Sequence, residues 1–144
     1  MSTCRTGAPT VDDAAALDIM KRFGKAYFRK DRALLEAILT EDAEWHQEAG
    51  PDAPHGRVLR GVDGFLQGIA EEDAQYADQR FADLVIRALG DDRIVMTYTL
   101  SAQPRDGAPF TLRGVELLTV REGRIARKDV FMKQSRPCAG PPVA

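Results

Sequence analysis

The feature that most constrains this chain is a change of hydrophobic period near its middle. Up to Ile69 apolar residues recur every three or four positions, and from Arg80 onward they recur every second position. Ala16, Ile19, Met20, Phe23 and Tyr27 keep helical spacing within Val11 to Arg29, which predicts one long amphipathic helix. Thr10 followed by Asp13 resembles a capping box at its start. Lys30-Asp31 ends it, and Asp31 caps a shorter helix carrying Leu34, Leu35, Ile38 and Leu39. Ala43 to Glu48 alternates as a short strand, and Ala49 to Leu59, with its prolines and glycines, is a loop. Val62, Phe65, Leu66 and Ile69 mark a third helix, with Glu71, Glu72 and Asp73 as its solvated end. Four strands follow: Arg80–Leu89, Arg93–Gln103, Phe110–Val120 and Arg124–Lys133. The turns between them are Gly90-Asp91-Asp92, Pro104-Arg105-Asp106-Gly107 and Arg121-Glu122-Gly123. Helices first and strands after, with short connections, predict an α+β fold with a mostly antiparallel sheet.

The 144 residues suffice for one domain with a core. We place it at residues 10–134, between Gly- and Pro-rich tails at 1–9 and 135–144. Cys4 and Cys138 both fall in the tails, which argues against a disulfide scaffold and a cysteine-based zinc site. A net charge of −2 disfavours a nucleic-acid partner. No apolar run approaches the ~18 residues of a membrane span. Met1 to Asp13 carries no apolar stretch of the kind a secretory signal needs, so a cytoplasmic location is expected. Glu44, His46, Glu48 and His55 are the residues a metal would have to use, and their spacing matches no metal motif. No metal and no cofactor are expected.

Strand alternation then divides inner from outer residues. In the last strand Ala126, Lys128, Val130 and Met132 share the more apolar face, and Arg127, Asp129 and Lys133 share the other with Ile125 and Phe131. In the strand before it, Leu112, Gly114, Glu116, Leu118 and Val120 form one row. A three-residue loop with Gly123 in its left-handed third position would pair Val120 with Arg124 and set Glu116 opposite Lys128. A two-residue Glu122-Gly123 turn pairs Glu116 with Asp129, a like-charge contact, so the first register is preferred. Glu116 and Lys128 are then an inward acid and base: an acid–base pair for chemistry, or an ion pair holding two strands in register. His46, a general base at neutral pH by type, lies on the face away from Trp45, toward solvent or a partner. Phe23, Tyr27, Trp45, Gln47, Phe65, Tyr98, Val130 and Met132 are the candidate pocket lining, and each also suits plain packing.

This order of elements, with Arg22-Phe23, the segment KDRALLEAILTEDAEW, Gly61 before the third helix and the closing hairpin VREGRIARKDVFMK, resembles the nuclear transport factor 2-like superfamily over Thr10 to Gln134. That group includes ketosteroid isomerases, SnoaL-type polyketide cyclases and limonene epoxide hydrolases. The resemblance implies a cone-shaped, strongly curved sheet wrapped around the long N-terminal helix, with an apolar pocket inside and a homodimer formed through the sheet's outer face. Against the isomerase pattern, the tyrosine position holds Phe23, the base position Gln47 and the protonated-acid position Glu116. Phenylalanine has no hydroxyl to donate and glutamine accepts no proton at neutral pH. Against the epoxide hydrolase pattern, Asp129 lies one residue from the final aspartate and Val130 holds the inward slot. The expected function is an apolar pocket for a small cyclic or polyketide-like molecule, with cofactor-free isomerase, cyclase or dehydratase chemistry. The alternatives are a non-catalytic binding or dimerisation module and an epoxide hydrolase-like enzyme.

Overall fold

Asp12, rather than Thr10, starts the first helix: its side chain accepts the Ala15 N–H at 2.8 Å, and α1 runs Asp13–Arg29. The computed structural model describes residues 10–134, so Cys4, Cys138 and the expected tails lie outside the described residues. Lys30 closes α1 in the left-handed conformation (φ 52°). Asp31 then caps α2 (Arg32–Ile38) through the Leu34 N–H at 3.1 Å. Leu39 has the spacing of a helical residue, but it already begins β1 (Leu39–His46). The predicted loop over 49–59 contains the start of a short strand, β2 (Val58–Arg60), paired antiparallel to β1. The helix α3 (Gly61–Gln75) runs through the acidic residues 71–73. It leads into β3 (Tyr76–Leu89), β4 (Arg93–Pro104), β5 (Phe110–Arg121) and β6 (Arg124–Met132).

The six strands form one curved, unclosed sheet in the order β2-β1-β6-β5-β4-β3. The β1–β6 pair is parallel and the other pairs are antiparallel. That parallel pair joins the helical half of the chain to the strand half. The helices bury their apolar stripes on one face: Ala16, Ile19, Met20, Phe23 and Ala26 from α1, Phe65 and Ile69 from α3. Phe65 is fully buried, edge-on to Phe23 at 6.2 Å and beside Trp45 at 5.6 Å. Burying such a side chain contributes about 1.5–3 kcal/mol. Gly68 allows α3 to sit this close, since a Cβ there would come within 2.5 Å of the Trp45 ring.

The β5–β6 register differs from the three-residue loop that charge pairing favours. Glu122 (φ 53°) and Gly123 (φ 76°) are both left-handed, the mark of a two-residue turn, and Arg121 pairs with Arg124. Uninterrupted counting from there would oppose Glu116 and Asp129. Instead a bulge at Ala126 intervenes, because Val120 pairs with Ile125 but Thr119 with Arg127. The extra residue returns Lys128 to the inner face, opposite Leu118, and sets Glu116 opposite Val130. It also turns Ile125 inward, where strict alternation would place it outside. The physical driver is the inner row itself. A one-residue slip would expose Val130 and bury the polar face of β6.

Candidate functional site

A cavity of about 620 Å³ opens between α1, β3 and the inner face of β4, β5 and β6. Its floor is built from the strand residues that alternation directs inward: Tyr98, Glu116, Lys128 and Val130, with Trp45 from β1. Phe23 and Tyr27, one helical turn apart on α1, form the facing wall. The exposed rim includes Leu17, Phe28 and Leu84. Leu84 reaches it because β3 bulges there, where Ala82 pairs with Thr99 but Val85 with Thr97, and Asp83 takes φ 54°. The Thr99 hydroxyl donates to the Asp83 carboxylate at 2.9 Å and holds the bulge.

The floor is charged. The Glu116 and Lys128 side chains are 7% and 6% exposed, with Lys128 Nζ 3.6 Å from Glu116 Oε1. The same ammonium lies 4.2 Å from the centre of the Trp45 ring, a cation–π contact that helps hold a buried charge. Tyr98 donates its hydroxyl to Glu116 Oε2 at 3.0 Å. Burial first, and the Glu116 charge second, push the Tyr98 phenol far up, so it remains a donor across ordinary pH. Two buried polar atoms of cavity residues, Glu116 Oε1 and Trp45 Nε1, have no hydrogen-bond partner among the described residues. Such orphans in a folded core call for a reason.

A second tyrosine–carboxylate pair stands in the same cavity. Tyr27 donates its hydroxyl to Glu72 Oε2, and Gln79 Nε2 approaches that oxygen at 3.5 Å. Glu72 belongs to α3, where periodicity predicts only a solvated end. The signal that reveals it is spacing, for Glu72 follows Phe65 and Ile69 on the inward stripe of the helix. Burial pushes Glu72 above the ordinary glutamate range, although Lys128 and the bonds from Tyr27 and Gln79 pull it down. A carboxyl that holds its proton only when folded contributes stability that is full below the ordinary range. That stability is lost as pH rises through the folded-state value. Glu72→Gln, which never ionises, should therefore gain on the wild type as pH rises from the ordinary glutamate range upward. Urea unfolding of both proteins across that range checks the sign.

Several expected site residues sit elsewhere. Phe65 lies behind Trp45 and Phe23 and does not line the cavity. Gln47 does not line it either, and Glu48 does. Strand β1 ends at His46, so alternation no longer governs the next two residues. His46 turns away from Trp45 as expected, but it is 3% exposed rather than facing solvent. The ring of His55 covers it edge-on at 5.0 Å. Arg127 Nη2 donates to His46 Nδ1 at 3.2 Å, which leaves the imidazole proton on Nε2, 2.9 Å from Glu44 Oε1. The His46 hydrogen bond, ahead of the Arg60 charge, holds the Glu44 carboxyl below its usual range. This cluster occupies the sheet face opposite the cavity. Asp129 shares that face, opposite Leu117, so the aspartate an epoxide hydrolase would need is absent from the cavity. Among the described residues no group of three or more His, Cys, Asp or Glu is placed to hold a metal ion. No helix is long and apolar enough to cross a membrane.

Comparison with known proteins places this geometry in a family. Residues 20–128 match the family model described as a SnoaL-like domain. No curated protein sequence matches the chain. Among solved structures, an NTF2-like protein from Burkholderia xenovorans LB400 superposes with a TM-score of 0.72 at 18% identity, covering 88% of this chain and 93% of that one. A candidate polyketide cyclase from Xanthomonas campestris pv. campestris gives a TM-score of 0.68 at 20% identity, over 84% of this chain and 92% of the other. TerC, co-crystallised with polyporic acid, gives 0.68 at 21% identity, over 83% and 92%. At these identities the likeness is one of fold, and the fold is the NTF2-like α+β fold.

Proposed function

Because this chain belongs to the SnoaL-like domain family, we propose that its cavity binds a small, apolar, cyclic or polyketide-like ketone and moves a proton on it without a cofactor. The observation that carries this reading is the state of Glu116. One carboxylate oxygen is held by Tyr98, and the other, Oε1, is buried with no hydrogen-bond partner among the described residues, in a side chain that belongs to the wall of the apolar cavity. A buried carboxylate held in this way is a base with a free lone pair. In the proposed step Oε1 takes a proton from the carbon next to the ligand's carbonyl. The electron pair of that C–H bond forms a C=C bond to the carbonyl carbon, the C=O π pair moves onto the oxygen, and the Lys128 ammonium faces the resulting enolate charge. Trp45 Nε1–H, buried and without a partner among the described residues, is the donor for a ligand oxygen. The candidate polyketide cyclases among the structural neighbours accord with such a ligand. The outer face of the sheet, with Val115 beside Phe131 (50% exposed), supports the further proposal that two copies pair there.

β-Tetralone tests the step directly. Incubated in deuterium oxide with the protein, it should exchange its α-hydrogens, and Glu116→Gln should slow that exchange by about 100-fold or more. Quenching of Trp45, the single tryptophan, reports binding independently. Quenching without exchange would turn the reading to a binding module. Neither signal, from any cyclic ketone of this size, would remove it.

A further inference from the structure

The cavity holds more acid–base machinery than one proton abstraction needs. Glu72 and Glu116 repeat one arrangement: in each, a tyrosine donates to Oε2. They differ in their counter-charge. Glu116 has Lys128 at 3.6 Å, whereas no cation stands within ion-pair distance of Glu72 among the described residues. They differ also in position, since Glu116 rises from the sheet floor on β5 while Glu72 enters from α3 beside the α1 wall. A carboxylate gains in its charged form from an ammonium beside it. One placed in the same apolar space without a cation is the group that keeps a proton.

We propose that Glu72 is the proton donor of this cavity, working opposite Glu116 on a ligand that carries a hydroxyl β to its carbonyl. The inference rests on the proton-transfer reading of Glu116 and adds a second residue and a substrate class. Glu116 Oε1 removes the α-hydrogen as a proton, and the C–H electron pair forms the new C=C bond. The β C–O bond breaks, its electron pair leaves with the oxygen, and Glu72 supplies the proton that completes a water molecule. The ligand loses one water and becomes a conjugated enone. Glu116 ends protonated and Glu72 ionised, and exchange with solvent resets both. Burial acts in the required direction on Glu72. The titratable or charged groups around it are Tyr27 on α1, Tyr76 on β3, Tyr98 on β4, Glu116 on β5, Lys128 on β6 and Glu48 after β1. Among these only Lys128 opposes proton retention by its charge.

Two probes separate the roles. β-Tetralone exchange in deuterium oxide needs only the base. Dehydration of the benzaldehyde–acetone aldol to benzalacetone, followed by ultraviolet absorbance, needs base and acid together. Glu72→Gln should slow benzalacetone formation about 100-fold and tetralone exchange far less, while Glu116→Gln loses both. Equal loss of both reactions in Glu72→Gln, or loss of neither, overturns the assignment. So does a wild type that exchanges tetralone and forms no benzalacetone. A wild type that does neither removes the Glu116 reading instead. Glu72 is then judged by carbon-13 NMR of carboxyl-labelled glutamate at neutral pH. The resonance missing from Glu72→Gln should sit at the protonated position, and finding it at the ionised position overturns the proposal. Should Glu72→Gln fail to fold, Tyr27→Phe takes its place. Losing the phenol donor should let Glu72 hold its proton to higher pH, moving the alkaline limb of dehydration up. An unmoved limb counts against the proposal.

Discussion

Replacing Lys128 with methionine is expected to lower the unfolding free energy by about 3–5 kcal/mol, the largest loss we anticipate from any single polar change. The Glu116 carboxylate would be left in an apolar floor with one neutral hydrogen bond, from Tyr98, and no counter-ion. Desolvating an unpaired charge costs more than the ion pair itself contributes. The contrast lies in removing the whole network. Lys128→Met, Glu116→Met and Tyr98→Phe together eliminate the cation, the anion and the hydroxyl that would otherwise lose its acceptor. That triple variant should recover most of the loss, because a well-packed apolar replacement of a buried pair is often neutral or better. Urea unfolding followed by Trp45 fluorescence measures all three states. A single variant that loses under about 1 kcal/mol would mean that Glu116 takes up a proton or water rather than bearing the charge.

Gly114→Val should cost about 3 kcal/mol, the upper end of the range for overpacking a core, and should also disable the floor. Gly114 lies directly opposite Tyr98 in the β4–β5 ladder. A Cβ there would come within 2.6 Å of two atoms of the Tyr98 ring and 2.7 Å of its hydroxyl oxygen. The ring cannot retreat easily, since Tyr98 is fully buried with Phe81 edge-on at 5.1 Å. Either the ring swings off Glu116 or the strands part. The variant should therefore lose tetralone exchange along with stability. Exchange at the wild-type rate in a folded Gly114→Val protein would show that the Tyr98–Glu116 bond is not needed to position the base.

The tyrosine and glycine of that pair show how far residue patterns carry. Alternation placed Tyr98 and Glu116 inward correctly, and a glycine inside an otherwise apolar strand marks a close approach. Alternation alone could not find the β6 register. A two-residue turn and a bulge at Ala126 each shift the pairing by one residue in the same direction, so Lys128 returned to the inner face opposite Leu118 rather than Glu116. His46 shows the same limit. Its direction followed from Trp45, but its burial depends on His55 and Arg127, which no local pattern connects to it. Glu72 was legible as the next step of the α3 stripe, yet an acidic run masks a single inward member.

What the sequence determined by itself was the period of each segment, and from it the three helices, the strands after them and the inward face of most of them. These properties are local, set by spacing of apolar residues and by caps such as Asp31. Only the tertiary structure decided that Glu72 and Glu116, from different elements, share one cavity, and that among the described residues just one of the two has an ion-pair partner. The physical reason is that a counter-charge is a matter of distance in space. Glu116 meets Lys128 because a bulge turned β6, and Glu72 meets Tyr27 because α3 packs beside α1 over the same curved sheet.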